Sequence, residues 1–336
     1  MTAGRLRYIE AVRHGLRSSM LSDPGVIVLG EDVRYGGPFG ATKGLADEFG
    51  KDRILDTPIS EATVMGMATG AAATGLRPVV EIMFVDFATL AMDQLVNHAA
   101  KLGFMTGGLL RVPLTVRVQG GVSGRFGAHH SQSLEAWFLH TPGLKVVAPA
   151  FPGDAKTLLE TAIADDNPVV YVEHRGLYWK KGEVTGDEPS SGSVVRRRGD
   201  HVTVVSYSRM VHHALAAAGT LAADGIECEV IDLRWLAPLD LAPVVASLNR
   251  TGRAVVAHEA VTSGGGGAEV VARLQAAPGV LPAAPIARLG APFAPVGAAP
   301  ELEDAFAPGS GDIVRAVRGL LGEAPPATDR QKGVRT

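Results

Sequence analysis

Three short segments of this chain combine carboxylates, histidines and aromatic side chains at close spacing. They are Asp56-Thr-Pro-Ile-Ser-Glu61, Glu81-Ile-Met-Phe-Val-Asp-Phe87 and Gly127-Ala-His-His-Ser-Gln-Ser133. In the first segment Pro58 favours an extended approach, Ser60 suits an N-cap, and Glu61 begins a helical pattern. Burial would raise the pKa of a carboxyl group there and the helix dipole would lower it, so the group could share a proton with a ligand. The alternative is an ordinary first-turn glutamate that satisfies backbone N–H groups.

The third segment contains two adjacent histidines, His129 and His130. An imidazole is well suited to proton transfer near neutral pH. Neighbouring side chains usually diverge, and no carboxylate or cysteine completes a ligand set around the pair, so we do not expect a zinc site. We interpret His129 as a pocket-lining or structural residue.

Short β-rich runs alternate with helical stretches along the first half of the chain. Strands are expected at 26–29, 78–84, 114–118, 145–148 and 168–172, and helices at 61–74, 86–101 and 154–164. Runs such as Val79-Val80 and Val169-Val170 are apolar throughout, which is typical of a parallel sheet covered by helices on both faces. The pattern predicts an α/β fold.

A polar stretch at 177–199 lacks a helical or strand period and interrupts this alternation. Beyond it, strands are expected at 202–206, 227–232, 254–258 and 285–289, and helices at 210–223, 241–248 and 268–274. We therefore predict two three-layer α/β domains, at 1–185 and 200–325, joined by a linker at 186–199 and followed by a flexible tail at 326–336.

Composition excludes several classes of function. Lysine and arginine total 32 against 35 aspartates and glutamates, a net charge of −3, whereas nucleic-acid and anionic-membrane binders need a basic excess. The single cysteine, Cys228, excludes an internal disulfide and a multi-cysteine metal cluster. No apolar run reaches the roughly 18 residues that a membrane helix needs. We expect a cytoplasmic protein.

The first 20 residues contain four arginines, a pattern that also occurs in transit peptides. Tyr8, Ile9, Val12 and Leu16 are spaced as the apolar stripe of an amphipathic helix. We favour the helix.

Common nucleotide and hydrolase motifs are missing from the sequence. The run Gly264-Gly-Gly-Gly267 follows a strand, but Glu269 stands where a dinucleotide fingerprint needs its third glycine. We interpret this run as a tight turn or a subunit contact. The P-loop and the G-x-S-x-G nucleophile elbow are absent as well.

An ordered series of motifs runs nearly the length of the chain: Leu29-Gly-Glu-Asp32, Asp56 to Glu61, Gly75-Leu-Arg-Pro78, Met92-Asp-Gln94, His130-Ser-Gln132, Pro142-Gly-Leu-Lys-Val146, Asp166-Asn-Pro168, and Ile231-Asp-Leu-Arg234 with Pro238 and Asp240. This series resembles the E1 component beta subunit of thiamine-diphosphate-dependent 2-oxo acid dehydrogenases, of the pyruvate, acetoin and branched-chain types. The resemblance implies a pyrimidine-binding domain followed by a transketolase-type C-terminal domain.

The resemblance also implies roles for individual residues. Glu61 takes the position of the glutamate that hydrogen-bonds the aminopyrimidine ring of thiamine diphosphate and promotes its imino tautomer. Phe87 matches the aromatic residue that packs on that ring, and Ile59 and Met83 match its apolar neighbours, although Phe87 and Met83 would otherwise be interpreted as core residues. His130 matches the active-site histidine, which handles protons or steadies the substrate and the incoming lipoyl group.

The metals implied by the resemblance are held in two places. Some family members hold a structural potassium ion, largely through backbone carbonyls, at the positions of Leu114, Ala162, Ile163, Asp165 and Asn167. A helix end followed by a turn explains the same residues without a metal. The Mg²⁺ that anchors the diphosphate belongs to a Gly-Asp-Gly element, which this chain lacks. We therefore expect it in a separate alpha subunit.

The expected assembly is an α2β2 heterotetramer with its active site between the alpha and beta subunits, docked on an E2 lipoyl acyltransferase. The acidic cluster Glu301, Glu303 and Asp304 could receive a basic partner or be an ordinary solvated face. We expect decarboxylation of a 2-oxo acid, pyruvate favoured, and reductive acylation of the lipoyl group of E2.

Several alternatives stay open. Phe84-Val-Asp-Phe87 and Glu173-His174 are closer to acetoin members, and Ile231-Asp-Leu-Arg234 is shared with branched-chain members. Departures from the common patterns at 121–126 and 264–267 leave room for a specialised biosynthetic role that delivers an acyl unit to a carrier protein. Two further hypotheses are a non-catalytic scaffold subunit and a self-sufficient transketolase-like enzyme.

Overall fold

The computed structural model describes residues 4–186 and 188–323. These residues form two α/β units, each built on a mainly parallel sheet with buried central strands, together with a small two-stranded ribbon. The α/β class and the two-domain architecture predicted from the sequence are confirmed.

The first sheet has seven strands and carries the candidate site at the carboxyl ends of its parallel strands. The strands are β2 (Val26–Gly30), β3 (Ile54–Asp56), β4 (Arg77–Ile82), β5 (Thr115–Gly120), β6 (Lys145–Val147), β7 (Val169–His174) and β12 (Trp235–Ala237). Their order across the sheet is β12-β6-β7-β5-β4-β2-β3. Only β12, which the second half of the chain contributes, is antiparallel to its neighbour among these described strands. The two halves of the chain therefore share one sheet.

Six α-helices accompany this sheet. They are α1 (Tyr8–Ser22), α2 (Leu45–Phe49), α3 (Glu61–Ala73), α4 (Ala100–Met105), α5 (Glu135–Leu139) and α6 (Pro152–Ala164). Helix α1 packs on α6 and buries Tyr8, Ile9, Val12 and Leu16, so the predicted amphipathic helix is confirmed. Strand β1 (Gly4–Arg7) precedes α1 and pairs with β8 (Lys181–Val184) in the ribbon.

The segment expected to form one helix at 86–101 is helical but not uniform. A 3₁₀-helix spans Val85–Ala91, a π-helix spans Asp93–Ala99, and α4 follows. Buried residues in the first part recur every three positions, at Val85, Ala88 and Ala91, and in the second part every four, at Ala91, Leu95 and Ala99. These spacings suit a tighter and a wider helix than the α-helix.

The second sheet has five strands. They are β9 (Val194–Arg197), β10 (Val202–Ser206), β11 (Cys228–Asp232), β13 (Ala254–Val261) and β14 (Ala287–Ala291), in the order β14-β13-β10-β11-β9. The helices around it are α7 (Met210–Ala222), α8 (Ala242–Thr251), α9 (Gly266–Ala276), α10 (Pro300–Phe306) and α11 (Ser310–Leu320).

The stretch at 177–199, expected to lack regular structure, contains β8 and β9. Strand β9 is an edge strand, antiparallel to β11, and its residues are only half-buried. Its Arg196 is paired with Asp154 and Asp232, so the charge of this residue is satisfied within the fold. The domain limits at 185 and 200 stay predictions, and the predicted tail at 326–336 lies outside the described residues.

None of the helices within residues 4–186 and 188–323 combines the length and apolar character that crossing a bilayer requires.

Candidate active site

Glu61 is the first residue of α3 and follows the carboxyl end of β3. The Thr57 N–H donates to the Gly30 carbonyl (3.0 Å), which ties the segment between Asp56 and Ser60 to the neighbouring strand end. The Glu61 side chain is partly exposed, and its carboxylate has no hydrogen-bond or ion-pair partner within the described part of the chain. It therefore does not act as a first-turn acceptor of helix N–H groups and is free to meet a ligand.

Two polar side chains, those of Ser60 and Glu31, lie near Glu61. Ser60 occupies the N-cap position, as predicted, but its hydroxyl donates to Thr63 Oγ1 (2.8 Å) rather than accepting a helix N–H. Burial, reinforced by the carboxylates of Asp32 and Glu61, raises the pKa of Glu31. Glu31 lies in the motif Leu29-Gly-Glu-Asp32, which does not by itself predict a role for this carboxyl group.

Four rings meet just beyond the end of β4. The His130 ring stands edge-on to Phe84 (centroids 4.6 Å apart, 88° between planes) and to Phe87 (5.2 Å, 78°). The ring of Phe126 lies 6.4 Å from His130 and 6.0 Å from Phe84. The structure thus brings together Phe87 and His130, which the sequence had singled out in separate segments.

This aromatic cluster is open on one side. Phe84 is buried, Phe87 and His130 are half-buried, and Phe126 is 47% exposed. Met83, which precedes Phe84, is half-buried, and 74% of Ile59, two residues before Glu61, is exposed. His129 is exposed. The apolar residues expected around a ring-shaped ligand are therefore accessible rather than sealed in the core.

Polar residues flank the rings of the cluster in the sequence, with Asp86 before Phe87 and Ser131 and Gln132 after His130. Gln132 Nε2 donates to Asp86 Oδ1 (2.7 Å). Three buried oxygens, Asp86 Oδ2, Gln119 Oε1 and Ser131 Oγ, have no partner in the described structure. Unpartnered buried acceptors of this kind mark places where water or a ligand completes the hydrogen bonding.

A buried ion network supports the strands that end at the site. Arg117 on β5 bridges Glu81 on β4 and Glu173 on β7, with Nε 2.7 Å from Glu173. Tyr178 donates its hydroxyl to Glu173 (2.8 Å). Burial raises the pKa of Glu81 against the opposing effect of Arg117. The signal for this network in the sequence is the charge of Arg117 inside the apolar run of β5.

Known proteins place this geometry in a family. The model of the transketolase pyrimidine-binding domain matches residues 5–180, and the model of the transketolase C-terminal domain matches residues 192–313. The beta subunit of acetoin:2,6-dichlorophenolindophenol oxidoreductase from Cupriavidus necator is 43% identical over 94% of this chain and 97% of its own length. The pyruvate dehydrogenase E1 beta subunit from Gracilaria tenuistipitata is 42% identical over 93% of this chain and 98% of its own length. The mitochondrial pyruvate dehydrogenase E1 beta subunit of Rattus norvegicus is 40% identical over 95% and 91% of the two chains.

The chain belongs to the E1 beta-subunit family of 2-oxo acid dehydrogenases. The predicted family is thereby confirmed. Among solved structures, an inactive beta4 tetramer of a split-gene transketolase superposes with a TM-score of 0.80 at 24% identity, covering 94% of this chain and 99% of that one. At that identity the likeness concerns the fold alone.

The backbone carbonyls that the family resemblance assigns to a potassium site accept hydrogen bonds from groups of this chain. Arg77 donates to the carbonyls of Ile163 (3.2 Å) and Asp165 (3.0 Å). The carbonyls of Leu114 and Ala162 accept backbone N–H groups, from Val169 and Asp165 respectively. The side chain of Asn167 donates to the Asp165 carboxylate (3.0 Å), which is also paired with Lys145. These hydrogen bonds hold the helix end and the turn together, and a potassium ion at these carbonyls stays a prediction.

Other candidate metal ligands give no cluster. Within the described residues, no group of three or more histidine, cysteine, aspartate or glutamate side chains could hold a metal ion. Asp154, in the run Gly153-Asp154-Ala155 that comes nearest to a Gly-Asp-Gly element, is 1% exposed and paired with Arg196 and Arg234.

The glycine run at 264–267 forms the turn into α9. Gly264 has a positive φ of 69°, and a Cβ on Gly265 or Gly267 would stand 2.7 or 2.3 Å from the buried ring of His258. The glycines therefore let the turn pass directly over that ring, as the tight-turn interpretation expected.

Proposed function

We propose that this chain is the beta subunit of a thiamine-diphosphate-dependent 2-oxo acid dehydrogenase E1 that decarboxylates pyruvate and reductively acylates the lipoyl group of an E2 acyltransferase. The observation that carries the proposal is the partner-free carboxylate of Glu61 at the start of α3, in a chain 40–43% identical to named E1 beta subunits over nearly its full length.

The residues of the site suit an aminopyrimidine ring. A free carboxylate can accept a hydrogen bond from a ring nitrogen or amino group, and the accessible apolar surfaces of Phe87, Met83 and Ile59 match the faces of a flat heterocycle. When bound, thiamine diphosphate supplies the electron sink for decarboxylation. Glu61 then controls the protonation state of the ring, and Phe87 fixes its orientation.

His130 is the proposed proton-handling residue. Its half-buried ring is held edge-on between Phe84 and Phe87, and its backbone N–H donates to the Gly127 carbonyl (3.3 Å). This packing limits the orientations of the imidazole, and the half-buried ring keeps part of its surface accessible. An imidazole so held can give or take a proton at the substrate oxygen.

The site needs a partner chain. This sequence lacks the family's diphosphate element, and the exposed apolar side chains Ile59, Met67 and Leu90 (50–74% exposed) lie on or beside the elements that carry Glu61 and Phe87. Such residues favour burial against another chain. We propose an alpha subunit that covers this face and holds Mg²⁺ and the diphosphate, in an α2β2 assembly that docks E2.

Pyruvate is the favoured substrate and acetoin the alternative. Relatives named for each are similarly close, at 42% and 43% identity, and the alpha subunit would supply part of the substrate pocket. A branched-chain 2-oxo acid as the substrate, or a carrier protein as the acyl acceptor, would use the same site and the same decarboxylation.

The test is turnover by the chain co-expressed with its alpha partner. Glu61→Gln should abolish 2-oxo acid decarboxylation while the heterotetramer still forms. Glu269→Gln, at an exposed glutamate in the first turn of α9, is the matched control and should behave as wild type. Full turnover by Glu61→Gln would reject the catalytic role and favour a scaffold subunit. Turnover by the isolated beta chain would instead favour a self-sufficient transketolase-like enzyme.

A further inference from the structure

The loop at 121–126, just before His130, is held by charged side chains along most of its length. Glu259 on β13 accepts the Val122 N–H, and Arg209 donates to the Val122 carbonyl. Arg175 donates to the Ser123 carbonyl (2.6 Å). Glu259 and Arg209 come from the second half of the chain, so the second domain contacts the loop directly.

Arg125 makes the most extensive of these contacts, and they reach helix α10. Its N–H donates to Glu303 Oε2 (2.7 Å), and its Nη1 lies 2.8 Å from Asp304 Oδ1 and 3.3 Å from Glu303 Oε1. The same Nη1 donates to the Pro300 carbonyl (3.0 Å). Glu303 is only 6% exposed. Glu303 and Asp304, two members of the acidic cluster, are therefore paired with Arg125 within the chain.

The backbone of Arg125 is in the left-handed region, with a φ of 63°. A non-glycine residue is unfavourable there and persists where the surroundings over-determine its conformation. Here the N–H and the guanidinium are both fixed by α10. The contacts with α10 therefore offset an unfavourable backbone conformation at this one residue.

The next residue, Phe126, forms one side of the site. Its ring packs under the Arg175 guanidinium (4.5 Å) and lies 6.4 Å from His130, with nearly half of its surface open to solvent. A side chain at this place limits the space in front of His130. Where Phe126 stands depends on how Arg125 is held.

We propose that Arg125 is a positioning residue: its ion pairs with Glu303 and Asp304 let the second domain hold Phe126 beside His130 and so restrict the site to short-chain 2-oxo acids. The inference rests on the proposed function for its substrate class. The positioning itself is a property of the chain and can be measured without turnover.

The test uses the assembled complex with Arg125→Gly and Asp304→Asn. Glycine adopts the same φ without strain, so Arg125→Gly removes the guanidinium and spares the backbone. Glu301→Gln, on the same helix, is the matched control. The first measurement is hydrogen–deuterium exchange of the peptide covering 121–127, which should exchange about tenfold faster in Arg125→Gly, less so in Asp304→Asn, and at the wild-type rate in Glu301→Gln.

The second measurement is selectivity. A displacement of about 1 Å at an active site can cost ~100-fold in rate, so we expect kcat/KM for pyruvate to fall about tenfold in Arg125→Gly. The ratio of kcat/KM for a branched-chain 2-oxo acid to that for pyruvate should rise, which a merely structural role would not produce. The Arg125→Gly/Asp304→Asn double variant should be no worse than Arg125→Gly, because both changes remove the same contact.

The outcomes separate the two proposals. Unchanged exchange at 121–127 in Arg125→Gly overturns the positioning role. Faster exchange with an unchanged selectivity ratio overturns the claim about substrate size. If the wild-type complex decarboxylates no 2-oxo acid, the proposed function fails, and the exchange measurement still decides whether Arg125 holds the loop.

Discussion

Replacing Arg117 by methionine should destabilise the first domain more than any surface charge substitution. The Arg117 side chain is 3% exposed and sits between Glu81, at 9%, and Glu173, at 1%. Methionine fills similar space but leaves two buried carboxylates without their cation. Breaking a buried pair by removing one partner costs about 3–5 kcal/mol. For a domain of this size that corresponds to roughly 6–20 °C in unfolding temperature.

The loss should also depend on pH. Burial already raises the pKa of Glu81, and without Arg117 its carboxyl group holds a proton more strongly in the folded chain than in the unfolded one. Stability then falls as pH rises above the ordinary glutamate range, because the unfolded chain releases the proton more readily. Arg117→Met should therefore lose more stability relative to wild type at pH 8 than at pH 5.

The assay is thermal and urea unfolding of the complex, followed by circular dichroism. Arg111→Met is the control, since that side chain is 72% exposed and pairs with Asp166 at the surface; it should cost less than about 1 kcal/mol. Adding Glu81→Gln and Glu173→Gln to Arg117→Met should recover part of the loss. If the free energy of unfolding of Arg117→Met lies within about 1 kcal/mol of the wild-type value, the ion network does not stabilise the strands.

The remaining predictions concern other parts of the chain. Phe87→Ala should raise the concentration of thiamine diphosphate needed for half-saturation about tenfold, because a ring-packing surface is lost; fluorescence titration of the complex measures this, and unaltered affinity would contradict the packing role. Burial lowers the pKa of His258 to about 4, so stability should fall as pH drops from about 6.5 towards 4, since only the unfolded chain is protonated in that window; unfolding titrations should show a flatter profile in His258→Asn. Cys228 is buried and its thiol pKa is raised to about 11, so a thiol reagent at pH 8 should label it only after unfolding. A potassium ion bound at the carbonyls of Ile163 and Asp165 would make the unfolding temperature higher in K⁺ than in Na⁺. Equal unfolding temperatures in the two salts would contradict a bound ion.

The sequence predicted the elements that have a plain local signal. The apolar strands at 26–29 and 202–206 and the helix beginning at Glu61 agree with the structure within a few residues, because an uninterrupted apolar run indicates a buried strand and an N-cap residue marks a helix start. Strand β9 was not recognised, since its charges are satisfied by Asp154 and Asp232, which lie far away in the sequence. The 3₁₀ and π segments after Phe84 were expected to form one helix. They differ from it because the spacing of their buried residues changes within a few residues.

Some residues of the candidate site could be predicted from the sequence, and others could not. Glu61, Phe87 and His130 were found from their motifs, and the structure brings the rings of Phe87 and His130 together. Arg117 and Arg125 were not found, because their importance lies in partners distant in the sequence, at Glu173 and Glu303. Pairings of this kind are fixed by tertiary structure, and no local pattern reveals them.

The proposed function depends most on the carboxylate of Glu61 acting on the bound cofactor. The direct measurement is the rate at which the thiazolium C2 proton of thiamine diphosphate exchanges with deuterium in the assembled complex, followed by quenched-flow NMR. Glu61→Gln should slow this exchange by a factor on the order of 10²–10⁴, the range expected for a lost proton-transfer step, with Glu269→Gln at the wild-type rate. An undiminished exchange rate in Glu61→Gln would contradict the assignment of Glu61.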